Sequence, residues 1–193
     1  MASRKTTQAS PAQLRIIAGR WRGRKLPIAD VPGLRPTGDR IRETLFNWLV
    51  GDLVGARVLD LFSGAGSLGL ESLSRGAAAL TLIEQHPTAA KQLHHNLDLL
   101  DANSDAVLIQ RDAIRWLEQG TDTPFDLVFI DPPFSQNLWQ ASFEKLEAGG
   151  YLASGSAIYI ECERERILQI PQNWQLHRQK QAGQVCFSLY HRI

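Results

Sequence analysis

A mostly parallel β-sheet with helices on both faces is the fold this sequence predicts, and three observations carry the prediction. From Arg57 onward, short apolar runs alternate with runs of helical periodicity. The first apolar run, "RVLDLF", empties into a glycine-rich turn that opens a helix. Another, "FDLVFID", stops on a carboxylate followed by two prolines and an aromatic ring, Asp131-Pro132-Pro133-Phe134. The 193 residues suit one large domain with a small appendage. The expected division is a disordered tail over 1–12, a basic hairpin and helix over 13–50, and the α/β domain over 51–193.

The elements follow in order. "LRIIAGRWRGRKLPI" alternates loosely around Gly19 and Gly23 and reads as a β-hairpin with a basic turn. "GDRIRETLFNWLV" places Ile41, Leu45, Trp48 and Leu49 at helical spacing, with Thr37 or Asp39 available as N-cap. The strands "RVLDLF", "ALTLIE", "AVLIQ" and "FDLVFID" alternate with the helices "SLGLESLSR", "PTAAKQLHHNLDLL", "AIRWLEQ" and "LWQASFEKLEAG". Pro87 suits the first turn of its helix. "AIYIECE" reads as a strand and "RERILQI" as a short helix stopped by Pro171; the run Glu161–Arg166 is expected to be a solvated helix start with internal charge pairs. "WQLHRQKQAGQVCFSLYHRI" alternates around "AGQ" and predicts a terminal hairpin, which adds an antiparallel strand to the sheet. His94 and His95 fall on a polar helical face and receive no role.

Composition excludes several classes. No apolar run approaches the ~20 residues of a membrane span, and "MASRKTTQAS" lacks the apolar stretch of a signal peptide. Cys162 and Cys186 have no CxxC spacing, so buried, reduced thiols and no metal site are expected. Charge is unevenly spread. Residues 1–48 carry ten Lys/Arg against three Asp/Glu, and the remainder eleven against seventeen. A basic front end on an acidic body suggests a polyanion partner. Arg20, Arg22, Arg24 and Lys25 crowd one hairpin turn and would meet phosphates, with Arg35 and Arg42 nearby. Trp21 among them would either stack on a base or pack in the core.

In such sheets ligands bind at the carboxyl ends of the strands. "LDLFSGAGSLGLE" contains Gly64-Ala65-Gly66-Ser67-Leu68-Gly69 after a strand and opening a helix. Phe62 and Ser63, with Gly64 and Gly66, form the turn. Glu84 closes the next strand twenty residues after Gly64, where a carboxylate accepts ribose hydroxyls; Gln85 follows it. Asp112 and Ala113 lie past the third strand and would meet the adenine amino group and ring, while Asp112 also suits a helix N-cap. Asp60 before the loop and Glu71 after it disfavour a pyrophosphate at the helix N-terminus. They suit a cofactor bearing an ammonium and a sulfonium, S-adenosylmethionine. Asp60 would otherwise only brace the loop backbone.

The "DPPF" corner suits methyl transfer to an aromatic amine. Such an amine must become more tetrahedral before it attacks. Asp131 and the Pro132 carbonyl can accept its two N–H bonds from a stiff, extended corner. Phe134 offers a face for stacking. An NAD-dependent oxidoreductase would leave this corner idle, and a non-catalytic RNA-binding module would need no intact cofactor site.

The linear order of glycine loop, ribose acid, adenine acid and "DPPF" resembles that of the S-adenosylmethionine-dependent N-methyltransferases over residues 58–134. "RIIAGRWRGRKL", "GLRPTGDRIRETLFNWL", "LDLFSGAGSLGLE", "DPPF" and "AGQVCFSLYHR" together resemble the RsmD family of bacterial 16S ribosomal RNA guanine-N2 methyltransferases, nearly end to end. The resemblance implies a Rossmann-like class I methyltransferase sheet of seven strands. It implies guanine 966 of the small-subunit RNA as target, in a cytoplasmic monomer that meets an assembling 30S particle. It also implies that the segment holding Arg35, Thr37, Asp39 and Arg42 lies over the cofactor. "DPPF" alone also serves adenine-N6 enzymes and some protein-glutamine enzymes.

Overall fold

The computed structural model describes residues 12–193. The expected tail lies outside them except for Ala12, whose carbonyl accepts the Ile28 N–H at 3.1 Å. Strands β1 (Gln13–Arg15) and β2 (Lys25–Pro27) pair antiparallel as the predicted hairpin. Helix α1 (Asp39–Trp48) follows. Its N-cap is Gly38, with no side-chain cap. Neither Thr37 nor Asp39 caps it, because Asp39 is already helical and pairs with Arg42 and Arg15.

The main sheet then builds up as β3 (Arg57–Asp60), α2 (Ser67–Ser74), β4 (Ala79–Glu84), α3 (Pro87–Leu100), β5 (Ala106–Gln110), α4 (Ala113–Leu117), β6 (Phe125–Ile130), α5 (Trp139–Ala148), β7 (Leu152–Glu163), β8 (Trp174–Ala182) and β9 (Val185–Arg192). Its seven strands run in the order β5-β4-β3-β6-β7-β9-β8. The first five are parallel, and β9 is antiparallel to both β7 and β8. This is the Rossmann-like, mostly parallel fold that the sequence predicts.

Apolar residues fill two layers. Leu45, Phe46, Leu70, Leu93 and Leu97 of α1, α2 and α3 pack on one face, together with the hairpin residues Leu14, Trp21 and Leu26. Trp116, Phe143 and Leu146 of α4 and α5 pack on the other. β3 and β6 are covered on both faces, which is why they read as continuous apolar runs. No helix among the described residues is long and apolar enough to cross a membrane. Cys162 and Cys186 are buried free thiols that face each other across the β7–β9 ladder.

Two segments differ from expectation. β7 begins at Leu152, five residues before "AIYIECE", and its register with β6 shifts between Phe125 and Leu127. "RERILQI" forms a turn and an extended stretch rather than a helix. Leu168 and Ile170 pack on the α4–α5 layer while Ile167 is open to solvent, a two-residue alternation. Arg166 folds back onto Glu163 and donates to Asn137 Oδ1 at 2.7 Å.

Candidate active site

Strand parity assembles the site. Side chains two residues apart share a sheet face. Val58, Leu82, Phe129 and Tyr159 all pack in the α1–α3 layer. Asp60, Glu84, Asp131 and Glu161 each stand two residues beyond one of them. Four carboxyls therefore face the same side at the carboxyl ends of four neighbouring strands, beside the glycine loop.

The loop is tightly laced. Ser63 N–H donates to the Ile83 carbonyl at 2.9 Å and its hydroxyl to the Asp60 carbonyl at 2.9 Å. Gly64 and Gly66 have φ of +52° and +76°, a region that disfavours side chains. A Cβ on Gly69 would come within 2.8 Å of Leu82, so the third glycine lets α2 lie close on the sheet. Asp60, 4% exposed, accepts the Gly69 N–H at 2.9 Å and so braces the loop. Burial pushes its carboxyl up to about 7, opposed by that hydrogen bond and reinforced by the charges of Asp131 and Glu84.

Glu84 accepts the Gly64 N–H at 2.8 Å and the His86 N–H at 2.7 Å, which ties the ribose acid to the loop. Partial burial raises its carboxyl, against the pull of these N–H groups. Phe62 is half-buried, and Gln85 is exposed beside Glu84. Asp112 is the N-cap of α4, accepting the Arg115 N–H at 2.8 Å through Oδ1, with Ala113 buried behind it.

Asp131 leaves β6 half-buried; Pro132 is buried and Pro133 exposed. Phe134 opens a short 3₁₀ turn, Phe134–Gln136, and its ring lies 5.8 Å from that of Trp139. Burial pushes the Asp131 carboxyl up to about 7, opposed by a hydrogen bond with Thr37. The Thr37 hydroxyl also reaches Glu161 and accepts from Ser67 Oγ at 3.3 Å. The segment before α1 thus lies over the loop and touches the carboxylate of "DPPF".

Glu161 was expected in a solvated helix start; it is instead a buried strand residue, 4% exposed. It accepts the Tyr159 hydroxyl at 2.8 Å. Burial and the charge of Asp131 hold its carboxyl well above the usual range, against the hydrogen bonds from Tyr159 and Thr37. Burial raises both carboxyls of the pair, and two negative charges so close disfavour each other, so the pair holds a proton more readily than either carboxyl would alone. The sequence carries a trace of this: "IYIE" and "VFID" both end an apolar run on an acid, but only the pairing of Ile130 with Ile160 sets the two acids side by side. None of the four carboxyls pairs with Lys, Arg or His among the described residues. A cationic ligand suits such a set.

Glu71 does not face the site. It is fully buried and accepts the Ile17 N–H at 2.8 Å, the Ala18 N–H at 3.0 Å, and the guanidiniums of Arg42 and Arg75 at 3.4 and 2.6 Å. Arg42, 1% exposed, is buried in that network and in a bond to the Arg15 carbonyl at 2.9 Å, so it is not available to RNA.

The basic turn is not at the site either. Gly19 approaches Ser74 so closely that a Cβ would sit 1.8 Å from its carbonyl oxygen. Trp21 is 7% exposed in the core, so it is not a stacking platform for a base. Arg20 reaches Asp105 and the Asp101 carbonyl, each at 3.4 Å, and Arg24 donates to the Leu99 carbonyl at 2.6 Å. These cations sit at the C-terminal end of α3, where the helix dipole favours them. That is the edge at which strands begin, opposite Asp131. Arg22, Lys25 and Arg35 are exposed.

Known proteins are similar to this chain along most of its length. The family model described as conserved hypothetical protein 95 matches residues 14–191. Ribosomal RNA small subunit methyltransferase D of Escherichia coli K12 is 50% identical over 190 residues, 98% of this chain and 95% of that protein. The protein of the same name from Haemophilus influenzae is 44% identical over 186 residues, 95% of this chain and 96% of that protein. The solved structure of yhhF from Escherichia coli superposes with a TM-score of 0.85 at 50% identity, covering 94% of this chain and 98% of that one. HI0767 from Haemophilus influenzae gives 0.83 at 41% identity, covering 94% and 99%. The matches run from the hairpin to the last strand, and the chain belongs to the ribosomal RNA small subunit methyltransferase D (RsmD) family.

Proposed function

We propose that this protein transfers a methyl group from S-adenosylmethionine to the exocyclic N2 of a guanine in 16S ribosomal RNA, guanine 966 by family resemblance, acting as a cytoplasmic monomer on an assembling 30S particle. The observation that carries this reading is the convergence of four carboxyls beside the glycine loop, with Asp131 held in a proline-stiffened corner. The names of the relatives point to ribosomal RNA.

Bound against Glu84 and the loop, S-adenosylmethionine supplies an electrophilic methyl group on a sulfonium. Glu84 holds the ribose, Asp112 and Ala113 receive the adenine, and the acids at the strand ends favour the ligand's positive charge. Asp131 and the Pro132 carbonyl accept the two N–H bonds of the guanine amine and turn its lone pair toward the methyl. Phe134 stacks on the base, which must leave its helix or loop to arrive. As the N–C bond formed and the methyl–sulfur bond broke, leaving a neutral thioether, the amine would become cationic, and an ionised Asp131 would stabilise that charge and stand ready to take the proton. Arg22 and Lys25 contribute phosphate contacts away from the reacting base, and Arg35, two residues before Thr37, contributes one on the side of the site.

Glu84→Ala should weaken S-adenosylmethionine by roughly 1.5–3 kcal/mol, the range for hydrogen bonds to a charged group. The upper part of the range is expected, because the change also frees the Gly64 N–H and loosens the loop. Calorimetry would measure it, with NAD as a non-binding control. Saturable binding of NAD without S-adenosylmethionine would reverse the cofactor assignment. For the reaction, the gene is deleted in its host and methylated guanines are mapped in the small-subunit RNA. An unchanged map would remove the target assignment.

A further inference from the structure

A groove of about 240 Å³ opens between the start of α1 and the β8–β9 turn, lined by Arg40, Ile41, Thr44, Lys180, Gln181 and Phe187 among others. We propose that this groove takes a phosphate–sugar unit of the RNA strand next to the target base, with Arg40 and Lys180 as its phosphate contacts. The proposal rests on the RNA methyltransferase reading and adds to it where the substrate strand runs.

Position is the first argument. Lys180 faces Phe187 across the β8–β9 ladder, and Phe187 faces Glu161 across the β7–β9 ladder. Asp131 stands one residue past the last β6–β7 pair, Ile130 with Ile160, and therefore beside Glu161. Lys180, Phe187, Glu161 and Asp131 thus form one row across the sheet. With strands about 4.8 Å apart, three steps place Lys180 about 14 Å from Asp131. That is no more than about four nucleotides at the ~3.4 Å rise of a helical strand. The basic hairpin turn, by contrast, sits at the opposite edge of the sheet.

Charge is the second argument. Neither Arg40 nor Lys180 pairs with a carboxylate among the described residues, and both are exposed. Arg20, Arg42, Arg75, Arg166 and Arg192 are all held by acids of this chain. β8, "WQLHRQKQA", contains no acid, and its side chains from Gln175 to Gln181 are exposed. Arg178 faces Leu189, so it shares the sheet face of Lys180 and extends the cationic strip away from the site. Size is the third argument. The volume is below the roughly 300 Å³ at which sites for whole small molecules begin, so the groove suits one unit of a longer chain.

The test uses the double variant Arg40→Ala/Lys180→Ala with deproteinised 16S RNA and with 30S particles from the deletion strain, titrated over a salt series. Both side chains are exposed, so the fold should hold; S-adenosylmethionine affinity measured in parallel checks that the cofactor site is intact. The slope of log affinity against log salt should become less negative by about 1.4, two contacts at ~0.7 each for a single strand. Arg40→Glu/Lys180→Glu should flatten it further. A control pair on the α4–α5 face, Arg115→Ala/Lys145→Ala, removes the same charge and should leave the slope unchanged. An unchanged slope in the groove variant, with normal RNA binding by the parent protein, overturns the groove and leaves the methyltransferase reading standing. A loss confined to the 30S particle, with an unchanged slope on bare RNA, would assign the groove to a ribosomal protein and overturn the phosphate assignment. If the parent protein binds neither substrate, the RNA reading itself fails and the groove falls with it.

Discussion

Asp131→Ala should lower single-turnover methylation by about 10²–10³, the loss seen when one preorganised transition-state partner is removed. The substitution deletes both the oriented acceptor and the negative charge. Asp131→Asn separates the two, because it keeps one acceptor oxygen. Similar losses in both variants would make charge the main contribution; a much milder loss in Asp131→Asn would make it orientation. Charge is favoured, since the amine becomes cationic and no His or Lys stands in "DPPF" to take the proton. Both variants should still bind cofactor and RNA, because the effect arises in the transition state. The pH profile has a sign. Asp131 must be ionised to act, and its carboxyl lies at about 7 in the free protein. Thus kcat/KM should rise with pH through about 7, and kcat should rise at lower pH, because a bound cation favours the anion. Stability runs the other way. A carboxyl raised in the folded state contributes stability fully below its unfolded value of about 3.8, and this is lost as pH rises through about 7. Asp131→Asn should therefore be more stable than the parent at pH 8. Near-normal methylation by Asp131→Ala would remove the catalytic role of the corner.

Glu71→Ala should destabilise the protein by about 3–5 kcal/mol, the cost of breaking a buried ion pair from one side. Its carboxylate is the common acceptor for Ile17, Ala18, Arg42 and Arg75. Alanine would leave two backbone N–H groups without that acceptor and the Arg42 guanidinium held only by Asp39 and carbonyls. The pair with Asp39 at 2.7 Å argues for the lower half of the range. At roughly 2–4 °C per kcal/mol for a chain of this size, Tm should fall by roughly 6–20 °C. Glu71→Gln keeps the volume and one acceptor oxygen and should cost less than Glu71→Ala. Chemical denaturation would measure both. A change below ~1 kcal/mol would mean that the hairpin is held by its apolar residues alone.

The parts of the site that depend on local order were legible in the sequence. The glycine loop, Glu84, Asp112 and Asp131 stand at strand ends, and strand ends can be read from runs of apolar residues. Glu161 and Tyr159 could not be placed in that way. Their meeting with Asp131 depends on the β6–β7 register, which shifts between Phe125 and Leu127. Thr37 reaches the site only because the N-terminal segment crosses the mouth of the loop. Front-end charge misled for a related reason. A count of Arg and Lys does not show that Arg42 is buried against Glu71, or that Arg20 and Arg24 satisfy groups at the end of α3. Those partners lie 29, 81 and 75 residues away along the chain.

The insertion of β9 between β7 and β8 has a consequence for biosynthesis. The strand that flanks the one carrying Glu161 leaves the ribosome after the other strands of the sheet. Until Val185 and the residues after it emerge, β7 exposes an unpaired edge, which is an aggregation hazard. Phe187 is then also absent from beneath Trp48, against which its ring stacks at 5.2 Å. A nascent chain therefore cannot acquire activity piecemeal, and a message truncated before Val185 should give an insoluble product rather than a partly active one.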